Sequence, residues 1–368
     1  MLSVVRLLVD DVEYSGWTSV DITAGIERQC REFTLGITWN WPGQEGRSLR
    51  IQQGQICKLF IDDDLLLTGY VFSTPISYDS ATVTQGAAGR SLTADIVDCS
   101  AELGQWRNQK VVDIARALTA PYGISVVDEV QDGTAIPEHQ VEPGETVFES
   151  IDRLLQVSAL LSTDDAYGRL VIAKPGTAGE AGEPIQLGEN VLEASASLDF
   201  ASVFSVYQCL GQRSGTDEEF GVDASEVSAI VVDERISRHR KLVINPSGQV
   251  TPAIAQRRAD WESASRMARA LAAQYTVAGW RQKNGELWLP NTTLEVIDPL
   301  IGFSRSMLIS EVNYTLDEKG ERCVLSVAPH EAFDPQPNAP KAEKKGKKKK
   351  GKGEDSFEYL LPPDWDKS

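Results

Sequence analysis

No apolar run in this 368-residue chain approaches the roughly 20 residues that a membrane-spanning helix needs. Membrane anchoring is therefore not expected. The N-terminal stretch Met1–Val9 runs into Asp10-Asp11 before any small-residue cleavage site, which points to an unprocessed cytoplasmic product. Catalytic signatures are missing as well: there is no G-x-S-x-G, no Walker loop and no H-E-x-x-H. Only three histidines occur, His139, His239 and His330, none beside a plausible nucleophile. Acid pairs such as Asp164/Asp165 and Glu218/Glu219 are adjacent in sequence, whereas glycoside hydrolysis needs two carboxyls placed across a sugar. The five cysteines, Cys30, Cys57, Cys99, Cys209 and Cys323, never form a C-x-x-C pair. They read as reduced, mostly buried thiols, and zinc-ligand spacing is absent. No catalytic residue, metal site or cofactor is assigned.

Basic charge is scarce over most of the chain. The net charge is −18, and residues 341–368 hold nine lysines against six acids, so the first 340 residues carry −21. Nonspecific duplex binding needs a basic face to displace counterions, which this body lacks. An acidic surface suits simple solubility, and equally a passage through which DNA moves without sticking.

What is present is strand-rich. Val4–Val9, Val20–Ile22, Phe33–Thr38, Ile56–Ile61 and Leu65–Tyr70 are short β-branched runs divided by turn residues, the pattern of an antiparallel barrel or sandwich. Asp62-Asp63-Asp64 reads as a solvated hairpin tip, because hard-cation loops interleave their ligands with spacers and a glycine. Trp39 and Trp41 stand just before the Pro42-Gly43 turn, either covering their own barrel or anchoring a partner. The stretch Leu65–Ser100 reads as a hairpin that turns at Gly69, runs through Tyr78-Asp79-Ser80, returns as Ala81–Thr84 and feeds a short helix over Leu92–Val97.

From Gln105 to Lys174 the rhythm is helical. Asn108 is positioned to cap a helix carrying Val111, Val112, Ala115 and Leu118, ended by Pro121-Tyr122-Gly123. Thr146 and Glu149 have capping-box spacing at the start of a second helix. Lys174–Pro184 is a Gly/Pro-rich boundary. Beyond it come strands over Ala194–Gly211, Val227–Asp233 and Lys241–Asn245, and a basic cluster of Arg235, Arg238, His239, Arg240 and Lys241 that reads as a solvated or ion-pairing rim. The longest helix is expected over 254–274, followed by an Asn284-Gly285 hairpin and a closing hairpin of Ile309–Leu316 with Arg322–Val327.

The Leu65–Ser100 pattern, with its Gly-Arg-Ser and Asp-Ile-Val-Asp-Cys-Ser elements, resembles the central baseplate hub proteins of Mu-like contractile phage tails. These belong with late-control-D type tail proteins and the hub portion of type VI secretion spikes. The resemblance extends to about Phe333 and is most specific over Leu65–Ser100 and Trp261–Pro299. It implies a mainly β fold with an α+β insertion: two tube-like antiparallel β-barrel domains plus a small α/β module. The expected domains are 1–104 for the first barrel, 105–174 for the module, 175–184 for a linker, 185–332 for the second barrel with its long helix, and 333–368 for the tail. It further implies a structural homotrimer, not an enzyme, matching a sixfold tail tube protein to a threefold central spike protein. Other baseplate proteins would surround it and DNA would pass without specific binding. The expected location is the virion tail baseplate, reached from the host cytoplasm.

The Pro143-Gly144-Glu145-Thr146 start of the second helix is also similar to LysM modules, so a peptidoglycan-binding role for that region is the alternative. Lys341–Lys352 cannot bury a core and is expected to be disordered. After it, Phe357, Tyr359, Leu360 and Trp365 gather as anchors that would dock on a neighbour such as the spike or an adjacent subunit. The candidate partner-binding residues are therefore Trp39, Trp41, Phe357, Tyr359, Leu360 and Trp365.

Overall fold

The computed structural model describes residues 3–40, 51–131, 133, 135–212, 226–246 and 250–337. The first strands are β1 (Val5–Val9), β2 (Val12–Tyr14), β3 (Ser19–Gly25), β4 (Glu32–Asn40), β5 (Ile56–Ile61), β6 (Asp64–Ser73), β7 (Ile76–Tyr78) and β8 (Thr82–Ser91). In β1, Val5, Leu7 and Val9 are buried while Arg6 and Leu8 are less so, the period of two that a half-buried strand requires. Asp10 and Asp11 both adopt positive φ, 46° and 65°, between the paired residues Val9 and Val12. Acidic or Asn/Gly pairs tolerate that left-handed backbone in two-residue hairpins.

Gly69 does not turn the chain. It lies in the middle of β6, paired with Cys57 of β5 on one side and Ser91 of β8 on the other. A Cβ built on Gly69 would overlap the Arg90 carbonyl and stand 2.7 Å from the Ser91 Cα. The glycine serves close approach between strands, the other use of a residue without a side chain.

A second unit follows: α1 (Ala94–Asp98), β9 (Gln105–Lys110), α2 (Val111–Thr119), β10 (Val126–Asp128), β11 (Ala135–Gln140), α3 (Val147–Ser158), β12 (Leu161–Asp164) and β13 (Leu170–Ala173). Its own core joins Ile96, Ile114, Ile151, Leu155 and Ile172. The capping box forms as read from the sequence: Glu149 N donates to Thr146 Oγ1 at 3.1 Å and Thr146 N donates to Glu149 Oε2 at 2.8 Å. Asn108 is not a cap. It sits within β9 at φ 52°, where the ladder steps from Gln109–Ile136 to Arg107–Glu138 past Pro137, which has no N–H to donate.

The last part comprises β14 (Ile185–Gln186), β15 (Val191–Ala196), β16 (Val206–Gln212), β17 (Glu226–Val232), β18 (Lys241–Ile244), α4 (Pro252–Ala270), β19 (Ala273–Ala278), β20 (Thr293–Asp298), β21 (Phe303–Asp317) and β22 (Gly320–Ala328). The helix α4 starts at the Thr251 N-cap, whose Oγ1 accepts from Ile254 N at 3.3 Å, and stops earlier than expected because Ala273 already pairs with Val327 of β22.

The two strand-rich parts are fused. Antiparallel pairing of β3 with β21, from Val20–Leu316 to Gly25–Glu311, joins them into one 14-stranded sheet. One buried cluster runs through both, with Leu7, Ile22, Leu35 and Leu59 in the same core as Tyr275, Val312, Tyr314 and Leu325. The strands β16, β17 and β18 leave this sheet and form a three-stranded one covered on its inner face by α4, with Tyr207, Cys209, Val250 and Ala259 between them. The alanines of α4 let helix and sheet approach closely. Replacing Gly69 by alanine is expected to lower stability by about 1–3 kcal/mol through overpacking, read as a lower denaturant midpoint with the secondary-structure spectrum retained.

Candidate assembly surfaces

The candidate anchors fall largely beyond the described residues. Trp39 lies on β4, its backbone paired with Val83 of β8; its side chain, and Trp41, Phe357, Tyr359, Leu360 and Trp365, lie outside the described residues.

The α/β unit is locked onto the first strands by a buried ion pair. Arg31, just before β4, donates from Nε to Asp164 Oδ1 at 3.2 Å, from its backbone N to Asp164 Oδ2 at 3.0 Å, and from Nη1 to the Leu66 carbonyl at 2.7 Å. Both residues are buried. Burial pushes the Asp164 carboxyl up from its ordinary range, against the pull of Arg31 and the hydrogen bonds around it. Such a pair contributes little net stability but fixes geometry, since either partner left alone is an uncompensated buried charge.

The Asp62-Asp63-Asp64 tip is a hairpin end, and it is engaged rather than simply solvated. Arg281, in the turn after β19, reaches Asp62 Oδ2 from Nη2 at 3.0 Å and Asp64 Oδ2 from Nη1 at 2.7 Å. The same turn carries Gly285 at φ 88°, as the Asn284-Gly285 signal requires. Behind it Trp280 and Trp288 are buried, and Trp280 meets Tyr314 edge to face at 6.4 Å.

Among the described residues, two sheet faces stand out as open. On the sheet of β16, β17 and β18 the side away from α4 is apolar: Ile230, Val232 and Val243 are 55%, 63% and 46% exposed, and Leu210 is exposed beside them. Register puts them together, with Gln208 opposite both Ile230 and Val243, and Val206 opposite Val232. Open apolar sheet faces of this kind mark contact surfaces. The signal was in the sequence, because Ala229-Ile230-Val231-Val232 is continuously apolar where a strand with one wet face alternates. The second face is the tongue of β4, β8 and β7, whose outermost strand β7 exposes Ile76 and, at 80%, Tyr78.

Two of the histidines singled out from the sequence are engaged within the fold. His139 is buried, its Nε2 2.8 Å from Ser150 Oγ, and stacks on Trp106. His330 Nε2 contacts the Pro175 carbonyl at 2.8 Å. All five cysteines are free thiols; burial pushes Cys57 up to about 12 and Cys323 well above its ordinary value, so neither forms the reactive thiolate at neutral pH. Among the described residues no group of three metal-ligating side chains comes together.

A fused antiparallel sheet with an inserted α/β unit is the fold this chain shares with solved tail proteins. The fold matches the 43 kDa tail protein of prophage MuSo2 from Shewanella oneidensis, with a TM-score of 0.82 and 33% identity over 90% of this chain and 99% of that one. The tail protein from Neisseria meningitidis MC58 shares the fold, with a TM-score of 0.77 at 22% identity over 92% and 100%. Family models match in order along the chain: "Mu phage baseplate assembly protein GpP-like, N-terminal" over 4–91, "Baseplate hub protein gp44-like, second domain" over 93–174, and "Mu phage baseplate assembly protein GpP, fourth domain" over 251–336. The baseplate hub protein gp44 of Escherichia phage Mu is 33% identical over 346 residues, 90% of this chain and 89% of the relative. This chain belongs to the family of Mu-like phage baseplate hub proteins.

Replacing Asp164 by alanine leaves Arg31 buried and unpaired. It is expected to cost about 3–5 kcal/mol, with hydrogen exchange rising first across β12 and the Arg31 segment.

Proposed function

We propose that the chain acts as a homotrimeric central hub that adapts the sixfold tail tube to the threefold spike and leaves a passage for DNA. The observation that carries this reading is the β3–β21 junction. It builds two strand-rich parts into one rigid subunit, so that three subunits would present six such parts around an axis. The open apolar face of β16–β18 supports self-association, because burying Ile230, Val232 and Val243 between copies would remove apolar area worth about 25 cal/mol per Å². The −21 charge on the first 340 residues favours passage of DNA without adsorption. Tube, spike and other baseplate proteins are the partners, with Trp39 and Trp41 as further anchors. The domain limits of 1–104, 105–174 and 185–332 divide these roles, and assembly takes place in the host cytoplasm before the hub enters the virion. The role is structural rather than enzymatic.

Light scattering on a sizing column is the test. The chain is expected to run at three times its own mass at high concentration and to dissociate on dilution. Ile230→Glu is expected to shift that dissociation to at least about tenfold higher concentration, since a buried unpaired charge costs several kcal/mol, while leaving the circular dichroism spectrum unchanged. A monomer at every concentration, with and without tube and spike proteins, sinks the trimer.

A further inference from the structure

We propose that the acidic, aromatic C-terminal segment of this chain, residues 354–368, docks into an arginine-lined pocket beside α4. The pocket is shallow and open, with a volume of about 460 Å³. Leu198, Phe200 and Ile236 form its apolar wall, and Arg235, Arg238 and Arg240 its charged one.

The three arginines are differently placed. Arg240 is fixed: it donates to the carbonyls of Phe200 at 2.9 Å and Ala201 at 2.6 Å, and lies 4.8 Å over the Phe204 ring. Arg235 is held by two 2.7 Å bonds to Asp233, which depress that carboxyl below its ordinary range. Arg238 is exposed and has no hydrogen bond or ion pair among the described residues. A guanidinium with no partner among the described residues, set at an apolar wall, is suited to a carboxylate beside an aromatic ring, through a forked ion pair and stacking.

Three features point to this segment as the occupant. The described chain ends on the same helix that backs the pocket: Trp261 Nε1 donates to the Asp334 carbonyl at 2.7 Å and Arg269 Nε to the Ala332 carbonyl at 3.2 Å. From the pocket side, Arg266 of α4 reaches the Ser202 carbonyl at 3.3 Å and the Phe204 ring. Next, nineteen residues separate Pro337 from Phe357; a coil of that length spans about 25 Å on average, and like charges extend it further. Last, residues 354–368 hold five acids, Glu354, Asp355, Glu358, Asp364 and Asp366, against one lysine, interleaved with Phe357, Tyr359 and Trp365. In a body of net negative charge, an arginine pocket is the complementary place for such a segment.

A fluorescein-labelled peptide of residues 354–368 is titrated by anisotropy against two proteins, the full chain and a chain ending at Gly353. The expected results are saturable binding to the shortened chain, at least about tenfold weaker binding to the full chain whose own segment fills the pocket, and at least about fivefold weakening by Arg238→Glu in the shortened chain. Arg238→Ala, which adds no repulsion, is expected to weaken binding by less. No saturable binding to the shortened chain overturns the proposal. So does equal binding to both chains, or indifference to both Arg238 variants. Capture of a labelled DNA duplex, lost in Arg238→Glu while the peptide fails to bind, overturns it in favour of a phosphate backbone. Because the peptide needs no oligomer to bind, oligomeric mass measured in parallel reports on the hub reading separately.

Discussion

The antiparallel pairing of β3 with β21 is the contact on which the rest depends. It joins strands nearly 300 residues apart, and through it Ile22 and Tyr314, both fully buried, enter one core. Gly25 sits at its end, where a Cβ would come within 2.9 Å of the Ser310 carbonyl, so the two backbones can close only if that position stays small. Without the seam each strand-rich part would expose a sheet edge, the feature that natural proteins cover, pair or blunt.

Polar contacts refine what the sheet establishes. The Arg281 clamp on Asp62 and Asp64 draws the β5–β6 hairpin tip to the turn that carries the buried tryptophans. The Arg31–Asp164 pair does the same for the α/β unit. Both are arginine forks bridging segments more than 130 residues apart, a use for which the planar, always charged guanidinium is fitted. Their effect is orientation: a hub must present its contact faces at fixed angles, and a buried ion pair specifies position more than it adds stability.

Membership of the baseplate hub family gives the open faces a setting. An apolar sheet face on β16–β18 and an exposed Tyr78 on an edge strand would be liabilities in a solitary protein, and are ordinary in one whose working state is an assembly.

Local chemistry was legible where it is decided within a few residues. The Thr146–Glu149 capping box, the Asn284-Gly285 turn, the β21–β22 hairpin and the strand-rich character of both ends all follow from side-chain reach, backbone φ and period-two burial. Gly69 and Asn108 were misread because a glycine serves a turn or a close approach equally well, and an asparagine a cap or a left-handed strand residue; only the neighbouring strand, β8 in one case and β11 in the other, selects between them. The Asp62–Asp64 tip looked solvated because its partner, Arg281, lies more than 200 residues away. The open face of β16–β18 was implicit in an unbroken apolar run, but which side α4 would cover was not. The sequence by itself determined the strand-rich ends, the Thr146–Glu149 cap, the closing turns and the family, since propensity, capping and motif are properties of neighbouring residues. The tertiary structure alone decided that two strand-rich parts are one sheet, where the α/β unit is pinned, and which apolar face stays open, because those depend on pairings between residues that only folding brings together.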